Sequence, residues 1–389
     1  MQAIELFAGA GGLGLGVSRA GFAPAAVVEW NKYCCDTIRE NQSRGVAHVS
    51  NWPLTEGDIR AIDFRKYEEQ IELVAGGPPC QPFSLGGKHL GQDDERDMWP
   101  EAVRVVRETK PKAFIFENVK GLTRATFVSY FAYIVHQLTY PEIARHENES
   151  WADHMSRLER EHTGRRGGGL TYRVVYRVLN AANYGIPQRR ERVFFVGFRT
   201  DLNIEWAFPE ETHSADVLLW DKYRTTNYWE RHRISSHEHH APSRLLKRAM
   251  RLPSRPNRQP WQTVRDAIGN LPDPEHEPNK SREFLNHRFQ PGARAYPGHT
   301  GSPLDEPAKA LKAGVHGVPG GENMLMRPDG SVRYFTIRES ARLQTFPDNF
   351  AFRGSWSEAM RQLGNAVPVD LALLIANNVR DHLTTENAP

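Results

Sequence analysis

From the start of the chain to about position 200, short apolar or β-branched runs alternate with stretches of helical period. The runs are read as strands at 3–7, 25–29, 73–76, 113–117, 172–179 and 192–198. Strands separated by helices argue for an α/β fold with a largely parallel sheet. Several polar, Gly-rich or Pro-rich segments follow directly on these runs. In open α/β sheets that carboxyl edge is where ligands bind. A polar, charged stretch at 140–169 interrupts the alternation and reads as an exposed insertion, a helix followed by a flexible loop. Beyond position 200 the alternation is lost, Pro and Gly become frequent, and helical patterning returns only after Arg333, with Pro368 opening a last helix. These shifts divide the 389 residues into 1–200, 201–330 and a returning segment, 331–389.

Composition sharpens this division. The net charge is only +3, yet 14 Lys and Arg face 7 Asp and Glu between positions 224 and 299. Positive charge is therefore concentrated in the second module, as an anionic partner would require. Three cysteines, Cys34, Cys35 and Cys80, cannot form a disulfide framework, which fits a reducing, intracellular setting. The first strand begins almost at Met1 without a basic flank or cleavage site, and no apolar run has bilayer length, so neither secretion nor membrane insertion is expected.

Candidate chemistry sits after the strands. Phe7, Ala8, Gly9, Ala10, Gly11, Gly12 and Gly14 form a glycine turn that leads from a strand into a helix. With Glu29 ending the next strand, the turn satisfies a dinucleotide fingerprint in which the acid grips ribose hydroxyls. NAD and S-adenosylmethionine both carry that ribose, so the turn alone does not separate them. Trp30, able to stack on an adenine, and Asp58 with Ile59, able to hold its edge, tilt the reading toward S-adenosylmethionine. Gly77, Pro78, Pro79, Cys80, Gln81 and Pro82 place a thiol on a proline-framed turn, more constraint than a buried core thiol needs. A zinc deaminase loop would carry a second cysteine three residues on, where this chain has Phe83, and no metal is expected. Glu117 and Asn118 end another strand, and in 188–192 the alternation sends Arg190 and Arg192 to one face, where arginine can donate to a base carbonyl or a phosphate.

Taken together and in this order, these elements resemble the bacterial DNA cytosine-5 methyltransferase family over most of the chain. Cys80 followed by Gln81, and Glu117 with Asn118 and Val119, are the specific matches. The glycine turn is a weak one. The segment Arg338, Glu339, Ala341, Arg342, Leu343 and Gln344 resembles the family's support for its recognition domain. Asn365, Ala366 and Val367, ahead of Pro368, resemble the motif closing on the methionine end of the cofactor. Two features depart from the pattern. Trp99 stands where the family has a cofactor-flanking leucine, and the 140–169 insertion is longer than the usual connector.

The resemblance implies an α/β, Rossmann-like S-adenosylmethionine-dependent methyltransferase domain with a smaller, mostly irregular and β target-recognition domain. It implies a covalent route, because carbon 5 of cytosine is too poor a nucleophile until a thiolate adds at C6. In that route Cys80 is the nucleophile, and Glu117, with a raised pKa, is the acid near N3. Asn118, Arg190 and Arg192 would complete the base pocket. Phe7, Gly9 to Gly12, Glu29, Trp30, Asp58, Ile59, Gly77, Pro79 and Asn365 to Val367 would hold the cofactor, with S-adenosylhomocysteine as product. The cytosine would be flipped out of double-stranded DNA, residues 81–94 would close over it, and the basic module would read the sequence. The implied setting is a cytoplasmic, nucleoid-associated bacterial monomer, an orphan or a member of a restriction-modification system. A tRNA cytosine-5 methyltransferase shares the proline-framed loop, but its relatives carry a further cysteine in the recognition region, and none follows Cys80 here. An NAD oxidoreductase leaves Cys80, Glu117 and the basic module unexplained. A silent DNA-binding module leaves the chemical residues idle.

Overall fold

Strands buried on both faces read as unbroken apolar runs, and the runs are where the large sheet forms. In the computed structural model, which describes residues 1–79, 97–164, 169–236, 242–297, 299–314 and 321–385, the strands are β1 (Gln2–Leu6), β2 (Ala23–Glu29), β3 (Leu54–Glu56), β4 (Leu73–Gly76), β5 (Ala113–Val119), β6 (Tyr172–Asn180), the short β7 (Gln188–Arg189) and β8 (Glu191–Arg199). All but β7 form one sheet in the order β3-β2-β1-β4-β5-β8-β6. Neighbours from β3 to β5 are parallel, and β8 is antiparallel to β5. The order reverses at β1, flanked by β2 and β4, which opens a crevice at the carboxyl edge. Helices α1 (Gly12–Arg19), α2 (Lys32–Ser43), α3 (Trp99–Thr109), α4 (Val128–Thr139) and α5 (Trp151–Gly164) complete this part.

The chain divides into two compact units. The first is Met1–Leu179, Glu191–Pro209 and Ala372–Pro389; the second is Asn180–Arg190 and Glu210–Leu371. The second thus differs from the 201–330 module read from the sequence: 180–190 and 331–371 pack with it, while 201–209 pack with the first.

In the first unit, alternate residues of the strands, Ile4, Leu6, Val74, Phe114, Phe116 and Phe195, bury one face of the sheet against α3 and α4. Each such side chain contributes roughly 1.5–3 kcal/mol. Trp99 opens α3 and is fully buried, its ring edge-on to Phe116 and Phe195 at 5.9 and 5.2 Å. The insertion does hold a helix, α5, and the loop expected after it lies partly outside the described residues. His154 of α5 latches it down. Its Nε2 donates to the Ile143 carbonyl at 2.6 Å, so its Nδ1 accepts from the Tyr133 hydroxyl at 2.7 Å. Burial lowers the His154 pKa, which keeps the ring in this neutral form.

Among the described residues the second unit has no large sheet. Helices α6 (Ala215–Tyr223), α7 (Asn227–Arg231), α8 (Ser243–Met250), α9 (Val264–Ile268), α10 (Pro278–Ser281), α11 (Ile337–Leu343) and α12 (Trp356–Asn365) alternate with irregular chain. The strands β9 (His213–Ser214), β10 (Gln259–Pro260), β11 (Ser302–Pro303), β12 (Ala308–Lys309), β13 (Met324–Met326) and β14 (Val332–Tyr334) are very short. Arg338 is an organising centre here: fully buried, it donates to the carbonyls of Leu285, Pro347 and Phe350 at 2.9, 3.0 and 2.6 Å. Buried Arg333 pairs with Glu339 at 2.6 Å, and Glu339 also completes the α11 capping box with Thr336. The last helix, α13 (Val369–Thr385), starts in this unit and runs on into the first. Among the described residues no helix is long and apolar enough to cross a membrane.

Candidate active site

The glycine turn is bent by its backbone. Phe7, Gly9 and Gly11 all take positive φ, at 55°, 56° and 88°. Among the described residues Gly9 has nothing within 4 Å of where a Cβ would stand, so its open side can receive a ligand. At Gly11 a Cβ would strike the Trp52 ring at 2.7 Å. Trp52 therefore floors the turn, and its Nε1 donates to Ser18 at 3.2 Å.

Glu29 joins the turn to the end of β2. Oε2 accepts from Gly9 N–H at 2.7 Å, and Oε1 accepts from Trp30 and Asn31 N–H at 3.0 and 2.7 Å. Burial raises its pKa, and the three N–H donors oppose that shift. A carboxylate offers about four acceptor sites, which leaves one for a ribose hydroxyl. Beside it the Trp30 indole is 71% exposed, an apolar plate beside a buried acid. Asp58 follows β3 and forms a two-pronged pair with Arg60, Nη2 to Oδ2 at 2.6 Å; that bond holds its pKa down. Ile59 is buried beneath it. An open glycine face, an acid with spare acceptor capacity and an exposed indole at one sheet edge fit an adenosine-bearing cofactor.

At the ends of β4 and β5, Gly77 and Pro78 meet Glu117 and Asn118. Asn118 Nδ2 donates to the Pro78 carbonyl at 2.9 Å, and Asn118 Oδ1 accepts from Val119 N–H at 2.8 Å. A Cβ on Gly77 would lie 3.5 Å from Glu117 Oε2, so the glutamate stands against the proline-framed turn. Cys80 and the segment 81–94 lie outside the described residues. Pro79 is inside, and its carbonyl accepts from Met98 N–H at 3.4 Å.

Arg192 faces Glu117 across the ladder. β5 and β8 pair Glu117 with Phe194 and Val119 with Arg192, so Arg192 is the diagonal neighbour of Glu117. Its Nε lies 2.8 Å from Glu117 Oε1, and its Nη1 donates to the Glu191 carbonyl at 2.8 Å. Burial pulls the Arg192 pKa down while Glu117 pulls it back.

Arg190 behaves differently, which corrects the expectation that alternation through 188–192 sends Arg190 and Arg192 to one face. The strand breaks at Arg190: β7 ends at Arg189 and pairs with β12, and β8 begins at Glu191. The Arg190 side chain is only 1% exposed and donates to the carbonyls of Leu311 at 3.2 Å and Gly364 at 2.9 Å, all within the second unit. It is a tie between segments of that unit, and the partner exchange that creates the break involves residues more than a hundred positions away.

Asn365, Ala366 and Val367 also belong to the second unit, at the end of α12. Asn365 is exposed, whereas Ala366 and Val367 are buried. Gln344 holds this corner, its Nε2 donating to the Leu363 and Ala366 carbonyls at 2.5 and 3.3 Å while its backbone carbonyl accepts from Val369 N–H. A Cβ on Gly364 would meet the Ala313 nitrogen at 2.2 Å, so glycine alone allows the chain to pass there.

Sequence reasoning missed Glu5. It is 3% exposed in β1, and burial raises its pKa to about 8 against the pull of one backbone bond from Gly14. Among the described residues its other oxygen, Oε2, has no hydrogen-bond partner. The available signal was a lone acid inside the apolar run 3–7. Trp52 carried no such signal, because nothing local marks a tryptophan as the floor of a turn far away in sequence.

Comparison with known proteins agrees with this geometry. The sequence profile described as C-5 cytosine-specific DNA methylase matches residues 1–140 and 166–381, leaving out most of the insertion. Type II methyltransferase M.PspPI of Psychrobacter sp. (strain TA137) is 31% identical over 383 residues, covering 97% of this chain and 78% of that protein. Type II methyltransferase M.NgoMIV of Neisseria gonorrhoeae is 30% identical over 388 residues, covering 99% and 98%. In fold alone, the crystal structure of a Spodoptera frugiperda DNMT2 mutant superimposes with a TM-score of 0.58 at 15% identity, over 97% of this chain and 99% of the other. The chain belongs to the C-5 cytosine-specific DNA methylase family and is an enzyme, a DNA (cytosine-5) methyltransferase.

Proposed function

We propose that the chain methylates carbon 5 of a cytosine flipped out of duplex DNA, with Cys80 adding transiently to C6 and Glu117 meeting N3. The observation that carries this reading is the packing of Glu117 and Asn118 against Gly77 and Pro78, the approach to Cys80. When bound, S-adenosylmethionine supplies an electrophilic methyl on its sulfonium. Phe7, Gly9 to Gly12, Glu29, Trp30, Asp58 and Ile59 would hold the adenosine end. Gly77 and Pro79 would hold the rest.

The protein's own steps follow from charge. As the Cys80 thiolate adds to C6, negative charge gathers at N3 of the ring, and Glu117 presents a hydrogen bond or proton there. Arg192 fixes the Glu117 carboxyl in place and offers its remaining N–H groups toward the base carbonyl. Asn118 braces the turn at Pro78, the approach to Cys80. After C5 is methylated, its proton leaves and the Cys80 sulfur departs, restoring the aromatic ring.

The basic second unit would read the DNA sequence. The Type II names among the relatives favour DNA over tRNA and a place in a restriction-modification system. Such an enzyme works where bacterial DNA lies, at the nucleoid in the cytoplasm.

Transfer of labelled methyl from S-adenosylmethionine to duplex DNA tests the reading. Cys80→Ala should lose activity by several orders of magnitude, as nucleophile variants do, and keep cofactor affinity within about twofold. Activity above a tenth of the parent would defeat the covalent route.

A further inference from the structure

The acids of the basic module are largely spoken for. Asp221 pairs with Arg255, Glu211 with Arg258, Asp266 with Arg231 and Asp305 with Arg265, at 2.9, 2.9, 2.8 and 2.6 Å. The positive excess is therefore left on other side chains, and α8 gathers part of it on one face. Arg244, Lys247, Arg248 and Arg251 fall at helical spacing, and all four are exposed. On the opposite side Leu245, Leu246 and Leu252 are half-buried and Ala249 is buried, so the apolar face is already used inside the protein. Arg248 pairs with Asp216 of α6 at 2.7 Å. Arg244, Lys247 and Arg251 make no ion pair or side-chain hydrogen bond among the described residues. No acid occurs from 243 to 252. Like charges at this spacing repel one another, so the stripe is unfavourable without an anionic partner.

We propose that the exposed face of α8, through Arg244, Lys247 and Arg251, is a phosphate-backbone contact for duplex DNA. The proposal rests on the DNA-methylating reading and names one element of its binding surface. From Arg244 to Arg251 the helix rises about 10 Å, a length over which duplex DNA carries roughly six phosphate charges. Three unpaired cations on that ridge match several of them without reaching a base edge. Contacts of this kind position the protein and carry no sequence information. An anionic lipid surface is disfavoured because Met250 is the one large apolar side chain this helix leaves exposed, too little apolar surface to insert.

The test is a salt titration of binding to a random-sequence duplex, with R244Q/K247Q/R251Q beside the parent. Each phosphate contact contributes about 0.9 to the slope of log affinity against log salt, so the triple variant should lose about 2.7. Between 50 and 200 mM salt the parent should then lose about 40-fold more affinity than the variant. The charge-preserving R244K/K247R/R251K should bind like the parent. Bisulfite sequencing should show the same methylated cytosines for all three, with KM for DNA raised and affinity for S-adenosylmethionine unchanged in the glutamine variant. An unchanged slope in a folded triple variant would overturn the proposal, as would loss of binding to anionic vesicles without loss of binding to DNA. A parent chain that binds no duplex DNA would overturn the ridge and the underlying reading together, and it differs from the first outcome by failing before any substitution is made.

Discussion

Two buried carboxyl groups in the same sheet are treated in opposite ways by their surroundings. Glu117 has a cation at 2.8 Å, and that charge balance lets it stand buried at the end of β5. Among the described residues Glu5 has no cation, one backbone donor and an oxygen without a partner, so burial dominates and its pKa rises to about 8. At neutral pH it is therefore mostly a neutral acid beneath the turn that would cradle the cofactor. The consequence for stability has a definite sign. Between the unfolded value of 4.5 and about 8 the folded chain holds a proton that the unfolded chain releases. Stability contributed at this site thus falls as pH rises through that window and levels off above it. Glu5→Gln keeps the shape of the neutral acid and removes the titration. The difference in unfolding free energy between variant and parent should grow from pH 4.5 to 8, at up to ~1.4 kcal/mol per pH unit, in favour of the variant. A difference that stays flat with pH would show that Glu5 titrates normally.

At the scale of elements, what could be read from the sequence followed from how local its cause was. β4 and β5 are buried on both faces, and an unbroken apolar run is the direct signature of that burial. β3 is three residues, Leu54 to Glu56, mostly exposed, and carries no such run. The break at Arg190 was invisible because it depends on β12, a partner more than a hundred residues downstream. Glu29, Glu117 and Asn118 were legible because each ends a strand next to a second motif, whereas Glu5 sits mid-strand, where an acid has no evident task. The α5 insertion was recognisable as an interruption, but its latch was not, since His154 needs Tyr133 and Ile143 to explain it. His154→Ala would remove two buried hydrogen bonds, a loss on the order of 2–3 kcal/mol in the local anchoring of α5. Limited proteolysis should then cut within 141–164 far faster than in the parent, with methyl transfer retained because the family pattern does without this segment. The same latch should weaken in the parent as pH falls below the ordinary histidine value, since the buried ring must stay neutral. Unchanged protease resistance at both pH values would remove the latch from the account.

Over the whole molecule, a nearly neutral chain separates its tasks by composition. The first unit carries the sheet edge with the glycine turn, the buried acids and the approach to the thiol. The second carries the basic excess, with most of its acids engaged in internal pairs. Such a division suits a reaction in which one surface holds a polyanion and another works on a single base withdrawn from it. Every part of that account depends on a covalent bond between Cys80 and the base. Duplex DNA carrying 5-fluorocytosine at the methylated position tests it most directly, because fluorine at C5 cannot leave as a proton and the adduct cannot resolve. Incubation with S-adenosylmethionine should give a denaturation-resistant protein–DNA complex, with the nucleotide mapped by peptide mass spectrometry to Cys80 alone. An enzyme that methylates ordinary cytosine yet forms no such complex, or forms it at another residue, would contradict the mechanism.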